Sequence, residues 1–454
     1  MMNLKDLKVK WCFKGKFNET VNFYEKSNFN LNEEQTNQRR KLIKSLKGNL
    51  LDPSQESLLK TIDEDTLIFE NGGTFGYVLN NFPEIIYADA VATELNNKNK
   101  KAVCFTIIDP TDISRFERTL NLAGKSMRLQ LNEIKTSGLP KGPLITGEEI
   151  ELRDYTSTKL LLKPKREHIE KYLDRIKKII DDYNFGLRTS DKDKNNMLNN
   201  FDKLKNNIIH IFNKSNTFRD LTNLLYIELL KPLTKNSIFI TLKQWQERWN
   251  LEEKLSSRSF YELTDRTYSQ LNKQFNSSLN LYHIQGNIYR FPFRIDDGKV
   301  FHKTRTKEHY LPVINILTGN ISYYSLNDKK IVSEIMNISN IKNVDLLPLD
   351  GLLYAFDYIT YNAIPLTFDS IREFSGYVLG ALMNKSGNLP ALCAKKFNFY
   401  SIGRQTKKSP KLKASGVLGA YIEGLNADFF RNVFRKNEDN IKSKMFEKYG
   451  QKMY

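Results

Sequence analysis

Residues 66–79 read TLIFENGGTFGYVL. Leu67 and Phe69 alternate along one arm, and Phe75, Tyr77 and Leu79 along the other. Between them, Asn71-Gly72-Gly73 offers residues that accept positive φ. Period-two alternation on both sides of such a turn predicts an antiparallel hairpin. Ala102–Ile108 is an apolar run of strand type that ends at Asp109-Pro110. Asp112 is placed to cap a helix over about 113–122. Together these make the first third a small α+β unit, closed by the linker-like GLPKGP of 138–143. Toward the N-terminus, residues 1–60 are polar and mixed, with a short basic helix expected over 39–51 (RRKLIKSLKGNLL).

Beyond Lys165 the pattern turns helical. Ile169, Tyr172, Leu173, Ile176, Ile179 and Ile180 form one apolar stripe. Residues 184–200 read as a polar break. Helices are expected over 201–212, over 218–230 (stopped near Pro232) and over 259–275. Thr241 opens another, with Gln244 in capping-box position and Trp245 and Trp249 on one face. A helix-turn-helix here would turn Lys243, Gln244, Gln246 and Arg248 to a groove, but helix spacing alone favours a packed bundle with the tryptophans inside. After Asn280, hairpins are expected around Asp296-Asp297-Gly298 and Thr318-Gly319-Asn320. Helices return over 352–359, after the Ser370–Glu373 capping box, and from Ser415 onward. On the second of these, Gly376 and Gly380 permit close packing.

The expected fold class is therefore α+β and multi-domain. A neutral α+β domain over 1–145 is suited to protein docking. A basic, mainly helical domain covers 146–280, and an α+β nucleic-acid-binding region covers 281–454. Charge separates them: residues 1–150 hold 21 Lys+Arg and 20 Asp+Glu, whereas 151–454 hold 49 and 32. Abundant Lys, Asn and Ile suit an AT-rich coding genome, which inflates Lys whatever the function. Such a bias does not explain a neutral first third.

Nor does it explain Phe374–Ile422, which carries eight cations and no Asp or Glu. Aromatics are threaded through that run. Cations attract phosphate, and aromatic faces stack on bases. The expected nucleic-acid contacts are Lys385, Lys395, Lys396, Phe397, Phe399, Tyr400, Arg404, Lys407, Lys408, Lys411 and Lys413. Gly387, Pro390, Gly403 and Pro410 keep this segment irregular, so backbone N–H groups can also face phosphate.

Catalytic motifs are incomplete. Asn71–Val78 (NGGTFGYV) approaches the protein-kinase glycine loop, but the following EIIYADAVATEL has no Lys and neither H-R-D nor D-F-G occurs. Asp89, Glu94, Asp109 and Asp112 are the carboxylates that a metal-dependent nuclease would use, without the spacing of the common nuclease core. His168, His210, His283, His302 and His309 show no metal-ligand spacing. No cofactor and no metal are expected. Cys12, Cys104 and Cys393 are far apart and suit a reducing compartment. No apolar run approaches ~20 residues, and the first residues lack a signal-peptide core, so a cytoplasmic protein without a membrane partner is expected.

The function expected is non-catalytic nucleic-acid binding, DNA favoured over RNA, in a larger transcription or replication assembly with protein partners. Promoter or origin recognition in a phage or plasmid system fits best. A metal-dependent nuclease and a structural or RNA-packaging protein are the alternatives.

Overall fold

The structure is a computed structural model. It describes residues 17–73, 82–108, 165–182, 191–241, 258–275, 349–364, 366–368, 371–384 and 417–436. It also describes the shorter pieces 119–122, 125–128, 145–146, 149–150, 244–245, 247–249, 282–284, 288–290, 294–296, 299–301, 310–315, 321–325 and 393–394.

Three helices, α1 (Phe17–Lys26), α2 (Glu33–Leu46) and the short α3 (Glu56–Leu59), precede strand β1 (Leu67–Gly73). Helix α4 (Phe82–Asn97) then leads to β2 (Ala102–Ile108). β1 and β2 pair in parallel, Leu67 opposite Ala102 through Gly73 opposite Ile108. The expected hairpin is thus corrected. Asn71, Gly72 and Gly73 are strand residues paired with Thr106, Ile107 and Ile108, and α4 is the crossover that a parallel pair requires. The expected return arm at Phe75, Tyr77 and Leu79 lies outside the described residues.

Hairpin β3 (Thr119–Leu122) and β4 (Lys125–Arg128) takes the place of the end of the helix expected over 113–122. Two-residue strands β5 (Ile145–Thr146) and β6 (Glu149–Ile150) pair with each other. Helices α5 (Arg166–Asp182), α6 (Asp191–Lys214) and α7 (Phe218–Leu230) follow. The α5 stripe is buried as expected. α6 runs through much of the expected polar break, because Met197 supplies a buried position one turn before Phe201. Its Asn-rich exposed face disguises the helical period.

Strand β7 (Ser237–Thr241) pairs in parallel with β2, Cys104 opposite Ser237. On the other side of β1, Phe69 bridges Ile364 in parallel; Glu70 N–H donates to Ile364 O at 3.0 Å and Ile364 N–H to Ile68 O at 2.8 Å. The order across the sheet is therefore Ile364, β1, β2, β7. Helix α8 (Arg258–Phe275) precedes an antiparallel region: β8 (Tyr282–Ile284), β9 (Ile288–Arg290), β10 (Arg294–Asp296), β11 (Lys299–Phe301), β12 (Tyr310–Asn315) and β13 (Ile321–Ser325). Both hairpins expected there form, β10 with β11 and β12 with β13. Helix α9 (Leu349–Tyr361), β14 (Thr367–Phe368), α10 (Ile371–Met383) and β15 (Cys393–Ala394) come next. The chain's last described elements are α11 (Val417–Ile422) and α12 (Ala427–Lys436).

One helix was expected where α11 and α12 stand. Gly424, at φ +70°, ends α11 in a Schellman motif: its N–H reaches Tyr421 O and Leu425 N–H reaches Ala420 O, each at 2.9 Å.

Alternation along the strands sorts the apolar residues into two layers. Ile68, Val103, Phe105, Ile107, Ile238 and Ile240 face α2, α9 and the two tryptophans. Phe69, Cys104, Ile108 and Phe239 face α1, α4 and the α5–α7 helices. α4 is buried on every side from Glu84 to Thr93, because α1 and α12 close over the face it turns away from the sheet. Phe17, Tyr87 and Phe434 meet there, with ring centroids 5.2–6.1 Å apart. Strands from 67–108 and 237–241 share one sheet, and one core layer takes residues from Phe17 to Phe434. The described core therefore crosses both boundaries expected at residues 145 and 280.

Helices α9 and α10 approach as Gly380 allows. A Cβ at that position would stand 3.1 Å from both Ala355 O and Tyr358 Cβ. Replacing Gly380 by Leu (G380L) is expected to cost about 2–3 kcal/mol, as overpacking against backbone does. A urea midpoint equal to that of the natural chain would show that the two helices are not in this contact.

Candidate functional site

All eleven residues expected to contact nucleic acid (Lys385, Lys395, Lys396, Phe397, Phe399, Tyr400, Arg404, Lys407, Lys408, Lys411 and Lys413) lie outside the described residues. What is described is how their segment is held. It leaves α10 at Met383 and joins α11 at Val417, both helices being largely buried. Between these points β15 pairs in parallel with β14, Thr367 opposite Cys393 and Phe368 opposite Ala394. β14 begins three residues after Ile364, which is paired to the middle of β1. Lys395 and Lys396 follow β15 directly in sequence.

The amino edge of the parallel sheet is locked by polar contacts. Asp89, mid-way along α4, accepts from Lys235 N–H at 2.9 Å, Asn236 N–H at 2.8 Å and the Ser237 hydroxyl at 2.7 Å. Asn96 donates to Ala102 O and to Asn236 Oδ1, both at 2.9 Å, and Asn236 donates to Thr93 Oγ1 at 2.7 Å. These bonds fix the amino ends of β2 and β7 to α4. Burial pushes Asp89 up to about 6, and the donors from Lys235, Ser237 and Asn236 pull against it. Its oxygens are occupied by the chain, so the nuclease role considered for Asp89 has a structural counterpart. Glu94, on the same helix, stands 4.0 Å from Arg435 Nη1. Asp109 and Asp112 lie outside the described residues. Among the described residues no three His, Cys, Asp or Glu side chains converge as metal ligands.

A second buried acid sits inside the sheet itself. Glu70 points from β1 into the layer that holds α9, and its partner there is Asp357. Glu70 is 2% exposed and Asp357 4%. No N–H or hydroxyl of the described chain reaches either oxygen of Glu70. Asp357 accepts from Trp245 Nε1–H, and Tyr361 O–H donates to Trp245 O at 2.6 Å. Two buried carboxyls in contact do not both ionise readily, so the pair holds a proton. Burial raises Glu70 well above the carboxylate range, and the Asp357 charge adds to this. Burial lifts Asp357 to about 7, while bonds to Glu70, Trp245 and Trp249 oppose it.

Arg39 completes this network from α2. Its Nε–H donates to Tyr361 O and Nη1 to Thr66 O, each at 2.7 Å, which ties the end of α9 to the start of β1. Burial lowers its pKa to about 9. Gln35 donates to Tyr358 O at 2.9 Å. Both residues belong to α2, which spans Glu33–Leu46 where a short basic helix was expected over 39–51.

The tryptophans are core residues, as the bundle reading held; Trp245 and Trp249 are 0% and 1% exposed. The Thr241–Gln244 capping box forms, with Thr241 N–H to Gln244 Oε1 at 2.9 Å and Gln244 N–H to Thr241 Oγ1 at 3.1 Å. Gln244 also donates to Asn49 O at 2.9 Å, and Arg248 pairs with Glu247 at 2.9 Å. Both are thus engaged within the protein; Lys243 and Gln246 lie outside the described residues.

Sequence reasoning passed over Glu70, Asp357 and Arg39. The signal for the acids is a single charge inside an otherwise apolar run, LIFEN for Glu70 and YAFDYI for Asp357. Such a charge is buried with its neighbours and needs a partner.

Both carboxyls titrate above about 4, the ordinary value. The folded chain keeps a proton that the unfolded chain has released. That stability is complete below pH of about 4 and drains away as pH rises toward and past about 7. Glu70→Gln removes one acid and gives Asp357 an amide donor. E70Q should exceed the natural chain in stability by about 1–3 kcal/mol at about pH 8, with the gap closing near about pH 5. Denaturant midpoints that shift in parallel for the two proteins would rule out a shared proton. Neither a family model nor a curated protein matches the chain, so the reading of its site rests on this geometry and on the sequence.

Proposed function

We propose that this chain is a non-catalytic nucleic-acid-binding protein, acting on DNA in preference to RNA, within a transcription or replication assembly. Its role there is recognition of a promoter or origin in an AT-rich phage or plasmid system. The observation that carries the reading is the acid-free basic segment and its attachment. Residues 281–454 hold 25 cations and 15 acids, and 384–416 alone supply eight of those cations and none of the acids. The remainder of the region is close to balance, so the field is local. A local field of one sign concentrates a polyanion where it acts.

Attachment gives that field a fixed base. The segment departs from one buried helix, returns to another, and pairs with β14, which begins three residues after Ile364. Parallel sheets take ligands at their carboxyl edge, beside the point where the strand order reverses. Here the reversal falls between β1 and the Ile364 segment, the neighbour of β14. The division of labour proposed along the chain follows the charge: the near-neutral first third docks protein, and the C-terminal region holds nucleic acid.

Alanine at Lys395, Lys396, Arg404, Lys407 and Lys408 together is the test. Affinity for duplex and single-stranded DNA should fall, and the log–log salt slope should shrink by roughly four units, nearly one per lost phosphate contact. Equal binding and equal slopes for the variant and the natural chain would remove the basis of this reading.

A further inference from the structure

Glu70 holds the end of α9 to the sheet twice. Its backbone N–H donates to Ile364 O at 3.0 Å. Its side chain meets Asp357 in the layer of α9. One residue of β1 thus closes both ends of the stretch from Asp357 to Ile364. Between those ends the chain leaves α9 and turns: Asn362 has φ +51°, in the left-handed region that residues other than glycine seldom adopt. Tyr361 O accepts from Arg39, Ala363 O accepts from Tyr377 O–H at 2.9 Å, and Ile364 N–H donates to Ile68 O at 2.8 Å. β14 begins three residues further on and pairs with β15, which Lys395 and Lys396 follow in sequence.

No cation among the described residues pairs with either acid. Arg39, on α2, gives its guanidinium to the carbonyls of Tyr361 and Thr66, with the charge of Asp63 nearby. Arg248, one residue before Trp249, pairs with Glu247. β2 and β7 bring apolar side chains to this layer, Phe105 and Ile240 among them, and α8 brings Phe260 while its Glu262, Asp265 and Arg266 are exposed. Tyr24 on α1, Tyr358 and Tyr361 on α9 and Tyr377 on α10 supply hydroxyls; burial pushes Tyr361 and Tyr377 well up, so both stay neutral. A shared proton is therefore what reconciles the two carboxyls. Without it, two like charges stand in contact inside an apolar layer. The Asp357–Ile364 stretch is the side that can yield. Two backbone hydrogen bonds join Ile364 to β1, whereas β1 is paired with β2 along seven residues.

We propose that Glu70 and Asp357 form a proton-operated switch: protonated, the pair seats the Asp357–Ile364 stretch against β1; deprotonated, it releases that stretch and with it the β14–β15 base of the basic segment. The link to the basic segment rests on the nucleic-acid reading above; the switch itself does not. Both acids are raised above their ordinary range, so the seated form belongs to the lower pH and is lost as pH rises.

Backbone hydrogen exchange of the full chain tests the switch. Protection of the Glu70 and Ile364 N–H groups, corrected for the intrinsic base-catalysed rate, should fall at least about tenfold between about pH 6 and about pH 9. E70Q keeps a donor for Asp357 and sets no second charge beside it, so its protection at the two sites should change by less than about twofold. D357N removes the charge from the other side and should behave as E70Q does. In the natural chain at about pH 9 this exchange should be insensitive to low urea, because a local opening exposes little surface. Exchange that rises with urea, or one pH profile common to the natural chain and both variants, overturns the switch. Affinity for a labelled DNA oligonucleotide at the same two pH values, at both of which lysine is charged, tests the link to the basic segment. The ratio of natural to E70Q affinity should fall several-fold at the higher pH, and a constant ratio overturns the link. If the natural chain binds no DNA at either pH, the nucleic-acid reading falls, and hydrogen exchange still decides the switch.

Discussion

A parallel strand cannot be reached by a turn; the chain must cross over and come back. Every described pairing in the central sheet is parallel. β1 reaches β2 through α4, β2 reaches β7 only after α5–α7, and β1 acquires its other neighbour, Ile364, later still. Each return brings distant sequence to the same surface. That is why strand residues from the first third, a strand before residue 242 and a segment beyond residue 360 lie side by side. It is also why the helices end up in two layers: crossovers have to be stacked on the faces of the sheet.

With both faces covered, the strands read as nearly continuous apolar runs, and every polar group inside them requires a partner. The two edges solve this differently. At the amino edge, Asp89, Asn96 and Asn236 spend their hydrogen-bonding capacity on backbone groups and on each other, which holds the ends of β2 and β7 in place. Within the sheet, Glu70 finds no donor in the described chain and shares a proton with Asp357. The first arrangement is rigid at any pH at which Asp89 is ionised. The second depends on a proton being present, and it joins β1 to α9, the helix that leads into Ile364 and β14.

What could be read from the sequence follows from range. α5, α7, α8 and the two later hairpins depend on neighbours within a few residues, and their periodicities identify them. The Thr241–Gln244 capping box and the close approach at Gly380 are equally local. β1 was legible as a strand and illegible in its pairing. Asn-Gly-Gly is a strong turn signal, yet seven consecutive residues find a parallel partner across a helix, and that partner lies 35 residues away. Gly424 was passed over because the apolar stripe continues through it; only positive φ shows that the helix stops. Arg39 was legible only as part of a short basic helix, because nothing near it in sequence announces the carbonyls of Thr66 and Tyr361. The basic segment was legible as composition, whereas its tie to β14 depends on a two-residue pairing with no pattern of its own.

The cluster of Phe17, Tyr87 and Phe434 joins the first described helix to the last, over a helix that belongs to neither. On the ribosome, the Phe17 ring has no Phe434 to meet until over four hundred further residues have been added. Until then α4 lacks one of its covers, and β1 lacks Ile364. The nascent chain must therefore carry a half-built core over that whole interval, a situation in which exposed apolar surface and open strand edges are open to capture by other chains. Phe17 therefore waits for its last ring contact long after its own helix has been made.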